Sequence, residues 1–396
     1  MGEKTFMQIR LERLQNLMKE MELAGILFLR PLKEGYDLWL TGRTEKEAQV
    51  SYLDKALLAV AGGEKVLSIA TPKLIEAGAE DPWLTHAAPG EATTPYYINC
   101  LGYYGDYFRA MLEQNHRLGL VNGNKLPVKV KNFIQKYVPD VEFVDVGRPV
   151  HLLKTIKSTE EIDLVRSDCR DLDHVFAAMG TVLRPGMSER DAVYAIRKKL
   201  LERGASGWDY SSQCLDVKMT SAQDGSSALK EPLLYPGHVL EMGDRVNIKV
   251  NASMANGFSV PLGRSYILGD ASSEAKDCWK LAVHVQKTAA ETMKPGATLK
   301  EALDRGNALL KEFGFVEDHS NWIYGIGHAW SEYPMAVPGW WDVPLEEGMV
   351  LAVGPNVKPA GKDPYCCQDA YVITAEGAVR LGRYEQELKE LFCSRW

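Results

Sequence analysis

Leu11, Leu14, Leu17, Met18 and Met21 recur at three- and four-residue spacing within a charged stretch, which lines one face of a helix. Gly25 follows as a helix stop, and Ile26 to Leu29 is an apolar run of strand length. Short apolar runs at Leu57 to Ala61, Val66 to Ala70, Leu118 to Val121 and Val141 to Val144 alternate with helical patterns, predicting a mixed α/β arrangement. Near residue 155 the character changes. Ser158-Thr159-Glu160-Glu161 has capping-box spacing, and Ile162, Val165, Cys169, Leu172, Val175 and Phe176 make the apolar stripe of a long helix. Pro185-Gly186 breaks the chain, and Ser188 restarts a helix whose buried side is expected to include Val193, Ile196, Leu200 and Leu201.

The same local pattern occurs twice. Leu183-Arg184-Pro185-Gly186-Met187-Ser188 returns as Met293-Lys294-Pro295-Gly296-Ala297-Thr298, 110 residues later. Each copy follows a long helical pattern and precedes a capped helix ending at Gly204 or Gly314, and Thr298 with Glu301 repeats the capping box. Matched flanks point to two similar α/β halves facing one another, with a pocket between them.

Composition narrows the function classes. The chain has 396 residues, so two domains are expected, and 45% hydrophobic with 25% charged residues excludes a disordered chain. The net charge of −7 and the absence of a basic tract argue against nucleic acid or an anionic membrane surface as partner. No apolar run is long enough to span a bilayer, and the N-terminal residues carry charge rather than a signal core, so a cytoplasmic location is expected. Seven cysteines without a CxxC read as reduced thiols.

Three later segments hold the chemistry. In Gly243 to Asn251, Val246, Ile248 and Val250 alternate with Arg245, Asn247 and Lys249, a strand with one apolar and one polar face. Tyr324 to Trp330 holds His328 in a Gly-Ile-Gly-His setting, where glycines let a ligand approach the backbone. Gly348 to Pro355 and Tyr365 to Thr374 are two further strand candidates. Taken in order, KSTEEIDLVR, RPGMSERD, GDRVNIKV, GIGHAW, EEGMVLAVGPN and QDAYVITAEG resemble the creatinase/Xaa-Pro aminopeptidase (pita-bread) superfamily. Asp37 to Gly42 resembles a turn near that family's N-terminus. The resemblance implies an α/β (α+β) fold, with a small N-terminal creatinase-like domain over 1–155 and a pseudo-two-fold pita-bread domain over 156–396.

The family's metallopeptidases hold two divalent ions with two Asp, one His and two Glu. By resemblance, Lys249 stands at the first Asp, Pro261 at the second, His328 at the His, Gly354 at the first Glu and Gln368 at the second. An ammonium supplies no lone pair, so no metal and no other cofactor is expected. The resemblance to the metal-free members creatinase and ectoine hydrolase instead implies side-chain acid/base cleavage of a C–N bond in a small polar molecule. Creatinase's shuttle His has no counterpart at Ala228 to Pro232, which leaves Lys230, Glu231 or His238 as alternatives.

The expected catalytic set is His328, Lys249, Glu231 and Glu332. Lys249 anchors a substrate carboxylate, acts as a base, or pairs structurally with Asp369 or Glu332. Asn247, Arg264, Gln368, Cys366, Trp330, Tyr333 and Arg43 are expected to bind substrate, with Arg43 reaching across a homodimer as the resemblance implies. Cys366 facing His328 would make a thiolate–imidazole pair, against the commoner reading of a packing thiol. Trp208, Tyr210, Trp330, Tyr333, Trp340 and Trp341 flank the expected mouth and would suit a cationic or planar substrate. The leading expectation is a metal-independent C–N hydrolase. The alternatives are a lyase or isomerase abstracting a proton α to a carboxylate, and a non-catalytic binding protein.

Overall fold

The computed structural model describes residues 6–29, 35–41, 55–63, 66–70, 84–86, 105–126, 128–205, 215–221, 237–329 and 331–392. The chain divides into two units, Met1–Lys154 and Thr155–Trp396.

In the first unit, α1 (Phe6–Glu20) buries Leu14 and Met18 completely, as its apolar spacing requires. Gly25 is not the helix stop. Glu22 takes the left-handed turn (φ 53°), and Gly25 opens β1 (Gly25–Leu29), where a Cβ would lie 2.8 Å from the Ala59 carbonyl. There follow α2 (Tyr36–Thr41), β2 (Lys55–Val60), β3 (Val66–Ala70), β4 (Leu84–His86), α3 (Gly105–Met111), β5 (Arg117–Val121), α4 (Val128–Tyr137), β6 (Glu142–Asp145) and α5 (Gly147–Thr155). The expected turn at Asp37 to Thr41 is therefore helical, and Gly42 lies outside the described residues. The strands form one six-stranded sheet, ordered β4-β3-β2-β1-β5-β6.

The second unit opens with α6 (Thr159–Ala177), whose Ser158–Glu161 capping box forms as its spacing predicts. A short α7 (Met179–Val182) leads to α8 (Glu189–Glu202), β7 (Leu215–Ser221), β8 (Arg245–Ser253), β9 (Ser259–Leu268), α9 (Ser273–Thr292) and α10 (Leu299–Glu312). β10 (Ile323–Gly325), β11 (Glu332–Met335), β12 (Val350–Val353), β13 (Asn356–Val357), β14 (Tyr365–Cys366), β15 (Asp369–Thr374), β16 (Gly377–Arg380) and β17 (Lys389–Leu391) complete it. The sheets run β17-β9-β8-β7 and β11-β10-β12-β15-β16, with β13 and β14 as a separate pair. Val165 and Leu172 of α6, Val193, Ile196 and Leu200 of α8, and Val246, Ile248 and Val250 of β8 share one core. Leu201, expected inside, is 51% exposed on the outer side of α8.

The sequence repeat is a structural duplication. Gly186 and Gly296 both take positive φ, and their amides donate to the carbonyls of Leu240 and Leu345 at 2.7 and 2.8 Å. Ser188 bridges Val239 as Thr298 bridges Pro344, and each of α8 and α10 ends before a left-handed glycine, Gly204 or Gly314. Beyond the bridges, Gly243 and Gly348 turn the chain with positive φ into β8 and β12. No helix among the described residues is long and apolar enough to cross a membrane.

Candidate active site

β8 alternates as its sequence predicts. Val246, Ile248 and Val250 pack into the core, while Asn247 and Lys249, both half-buried, and buried Asn251 occupy the opposite face. Antiparallel partners share a face, so Lys249 sits beside Gly263, and Asn251 beside Pro261, on β9. Gly263 in turn exchanges backbone hydrogen bonds with Gln368 at 3.0 and 3.1 Å. Lys249 and Gln368 thus flank a residue that contributes no side chain.

The Gln368 side chain is fully buried. Its Nε2 donates to the Tyr324 hydroxyl oxygen at 2.8 Å, which also accepts from Asn251 Nδ2 at 3.3 Å; Asn251 Oδ1 accepts from Ser259 Oγ at 3.1 Å. The chain of amides and hydroxyls is neutral throughout. Gln368 Oε1 is buried with no hydrogen-bond partner among the described residues, and the Lys249 ammonium makes neither ion pair nor hydrogen bond there. A buried acceptor and a half-buried cation in this state favour a polar ligand between them. Gly354 makes room for Gln368, since a Cβ there would lie 2.7 Å from the Gln368 Cβ and Cγ.

His328 follows β10 in a loop fastened from both sides. Its Nδ1 bonds the Gly257 carbonyl at 3.0 Å, its ring lies 4.3 Å from that of Phe258 at a 32° tilt, and the Ser259 amide donates to the Gly327 carbonyl at 2.7 Å. A carbonyl only accepts, so Nδ1 carries the hydrogen in the neutral ring and Nε2 keeps its lone pair. On the other side, Glu332 Oε1 accepts from the His328 and Ala329 amides at 2.8 and 3.2 Å. Its Oε2 lies 4.0 Å from Lys157 Nζ, both side chains being almost wholly buried. The expectation that Glu332 supplies an acid/base group gives way to this role: its carboxylate satisfies two loop amides beside a buried cation.

Arg264 likewise departs from expectation. It is 1% exposed, its Nη2 pairs with Asp369 Oδ1 at 2.8 Å and also donates to the Tyr384 carbonyl, and its Nη1 and Nε donate to the carbonyls of Gly263, Gln368 and Glu385. Burial, the largest single influence, opposes its charge, but the Asp369 carboxylate together with Cys367 and Tyr266 outweighs it and raises its pKa. With every donor engaged inside the protein, Arg264 braces the sheet rather than holding substrate. Asp369 and Glu332, considered as partners for Lys249, pair with Arg264 and Lys157 instead.

Tyr333 stacks on Trp340 at 4.1 Å. His238 Nε2 bonds Asp244 Oδ2 at 2.7 Å near the start of β8. Arg43, Trp208, Tyr210, Lys230, Glu231 and Trp330 lie outside the described residues, as does the side chain of Cys366. Cys367, the neighbouring thiol, is buried against Arg264 and Gln286 on the side away from Gln368. Sequence reasoning missed Tyr324 and Asn251 as site residues. Asn251 continues the polar alternation Asn247, Lys249, which could have flagged it; Tyr324 is reached only through tertiary contact.

Comparison with known proteins agrees with the fold. The model of metallopeptidase family M24 matches residues 163–382. The chain is similar to a Xaa-Pro dipeptidase of Pyrococcus furiosus, 24% identical over 284 residues covering 72% of this chain and 78% of the relative. It is also similar to a creatinase of Bacillus sp., 23% identical over 280 residues covering 68% and 66%. A solved Xaa-Pro dipeptidase from Bacillus anthracis superposes with TM-score 0.78 at 20% identity, over 97% of this chain and all of that one, establishing the mixed α/β pita-bread fold. On these grounds the chain belongs to metallopeptidase family M24, within the creatinase/Xaa-Pro peptidase superfamily.

Proposed function

We propose that this protein is a hydrolase that cleaves a C–N bond of a small, polar, carboxylate-bearing molecule by side-chain acid/base chemistry. The observation that carries the reading is the donor set at the positions matching the family's metal ligands. Lys249, Pro261 and Gly354 offer no side-chain lone pair to a cation, and Gln368 is neutral and tied to Tyr324. Among the described residues, no three His, Cys, Asp or Glu side chains gather as a metal site. These residues do not fit a pair of divalent ions, whose charge needs anionic oxygens.

What remains suits a polar organic ligand. Lys249 holds the carboxylate, and Gln368 Oε1 accepts from an N–H of the scissile group. His328 Nε2 takes a proton from water as the oxygen adds to the amide or amidine carbon. The imidazolium then returns that proton to the leaving nitrogen, and the C–N bond breaks. Asn247 hydrogen-bonds Ser265 at 2.6 Å and forms one wall.

The test uses the intact protein after exhaustive chelation, with residual metals quantified by mass spectrometry. It is offered N-acyl amino acids and guanidino acids, with Xaa-Pro dipeptides, whose scissile amide has no N–H, as the contrast, in water enriched in heavy oxygen. Amine release with label in the acid or amide product, lost in His328→Ala, supports the reading. Activity that vanishes on chelation and returns with one metal overturns it. Exchange of solvent deuterium into recovered substrate without hydrolysis would assign a lyase or isomerase instead. The homodimer belongs to the same proposal and is read by light scattering.

A further inference from the structure

Asp168 is a carboxylate within the apolar stripe of α6, fully buried between Val165 and Leu172. It has no cationic partner among the described residues; its oxygens are taken by the turn that joins β8 to β9. Oδ1 accepts from the Asn256 amide at 3.2 Å and from Asn256 Nδ2 at 2.9 Å, and Oδ2 accepts from the Phe258 amide at 3.4 Å. The turn is tight, with Gly257 at φ +81° and its amide donating to the Met254 carbonyl at 2.9 Å. The residues it presents are those that grip His328: the Gly257 carbonyl on Nδ1 and the Phe258 ring against the imidazole face.

We propose that Asp168 is a positioning residue for His328, acting through the Asn256–Phe258 turn to hold the Gly257 carbonyl against Nδ1 and so keep the lone pair on Nε2. Three N–H groups converge from the turn: the amide and side chain of Asn256 fix the residue before Gly257, and the Phe258 N–H lies in the same peptide plane as the Gly257 carbonyl and so fixes its orientation. Without the carboxylate, those amides have no acceptor in an apolar core, and the turn must re-form its hydrogen bonds elsewhere. The Gly257 carbonyl then swings off Nδ1, and the proton redistributes between the ring nitrogens. The role resembles that of an outer group that sets the tautomer of a working histidine. Its catalytic importance rests on the proposed function; the geometric link does not.

The experiment reads the imidazole directly. Protein labelled with nitrogen-15 only at its 8 histidines gives long-range proton–nitrogen spectra, with His328 assigned by loss of its signals in His328→Gln. In the wild type the Nδ1–H form dominates. Asp168→Asn keeps the shape but faces the turn amides with a donor, and the Nε2–H fraction rises roughly fivefold or more. Asp168→Glu restores a carboxylate and moves the ratio part of the way back. Asn256→Ala, which leaves the core carboxylate in place, shifts the ratio in the same direction by less and serves where Asp168→Asn does not fold. A lower melting temperature with the His328 tautomer ratio unchanged in both variants overturns the proposal. Failure of the proposed function would show separately, as turnover surviving in His328→Ala.

Discussion

Gly263 and Gln368 stand 105 residues apart at matching positions of the two halves and exchange both backbone hydrogen bonds, at 3.0 and 3.1 Å. Reciprocal antiparallel bonding has a local twofold, so this bridge lies on the pseudo-symmetry of the duplication. Its neighbours obey the same offset: Arg264 and Asp369 form the buried ion pair, and Lys249 corresponds to Gly354. One half contributes a cation and the other a bare backbone, which lets Gln368 fill the space beside the bridge.

That filling makes Gly354 intolerant of a side chain. Gly354→Ala places a Cβ 2.7 Å from Gln368 and is expected to destabilise the protein by about 1–3 kcal/mol, measured by urea unfolding. Adding Gln368→Ala should recover most of the loss. Strict additivity of the two substitutions would show that the crowding is absent.

Breaking the Arg264–Asp369 pair leaves an uncompensated buried charge. Asp369→Ala and Arg264→Ala should each cost about 3–5 kcal/mol, and Arg264→Lys should not restore stability because it lacks the planar fork. Wild-type stability in Arg264→Ala, with only KM altered, would return Arg264 to the substrate-binding set.

Glu332 separates loop support from proton transfer. Glu332→Gln keeps an acceptor for the His328 and Ala329 amides but removes the anion beside the buried Lys157 ammonium, so it should lose stability while retaining most turnover of the folded protein, whereas Glu332→Ala loses about 1–3 kcal/mol more and the loop geometry. Equal loss of turnover in both variants, at equal stability, would mark Glu332 as an acid/base group.

Burial outweighs the three N–H donors on Asp168 and pushes its carboxyl up to about 7. The folded protein therefore binds this proton more tightly than the unfolded chain does, and the group's contribution to stability falls as pH rises from about 4 to about 7. Above that range the burial cost is fully expressed, offset only by the turn hydrogen bonds. Wild-type stability measured relative to Asp168→Asn should drop by a few kcal/mol, as an order of magnitude, between about pH 4 and about pH 8. A difference that stays flat, or rises, across that interval would contradict the raised value.

Local periodicity determined a good deal of this protein. The stripe from Val165 to Phe176, the capping boxes at Ser158 and Thr298, and the Pro-Gly repeat follow from contacts within a few residues, and each formed where its spacing placed it. The alternation of β8 likewise put Lys249 on a polar face, and ordered motifs identified the family. Where local pattern misled, a neighbour distant in sequence had decided: Gly25 is shaped by Ala59, and Leu201 lies at the edge of a helix face whose width only packing sets.

The chemistry divides the same way. Lys249, Pro261, Gly354 and Gln368, matched to the family's ligand positions by resemblance, carry no anionic side chain. Which charges cancel was not readable, because Arg264 reaches Asp369 across 105 positions and Lys157 reaches Glu332 across a longer span of chain. Tertiary structure alone turned an aspartate in a helical stripe into the anchor of a distant histidine. Hydrogen bonds are directional and short, so their partners are set by where the folded backbone brings two atoms together, whereas burial patterns are averages that a linear chain already carries.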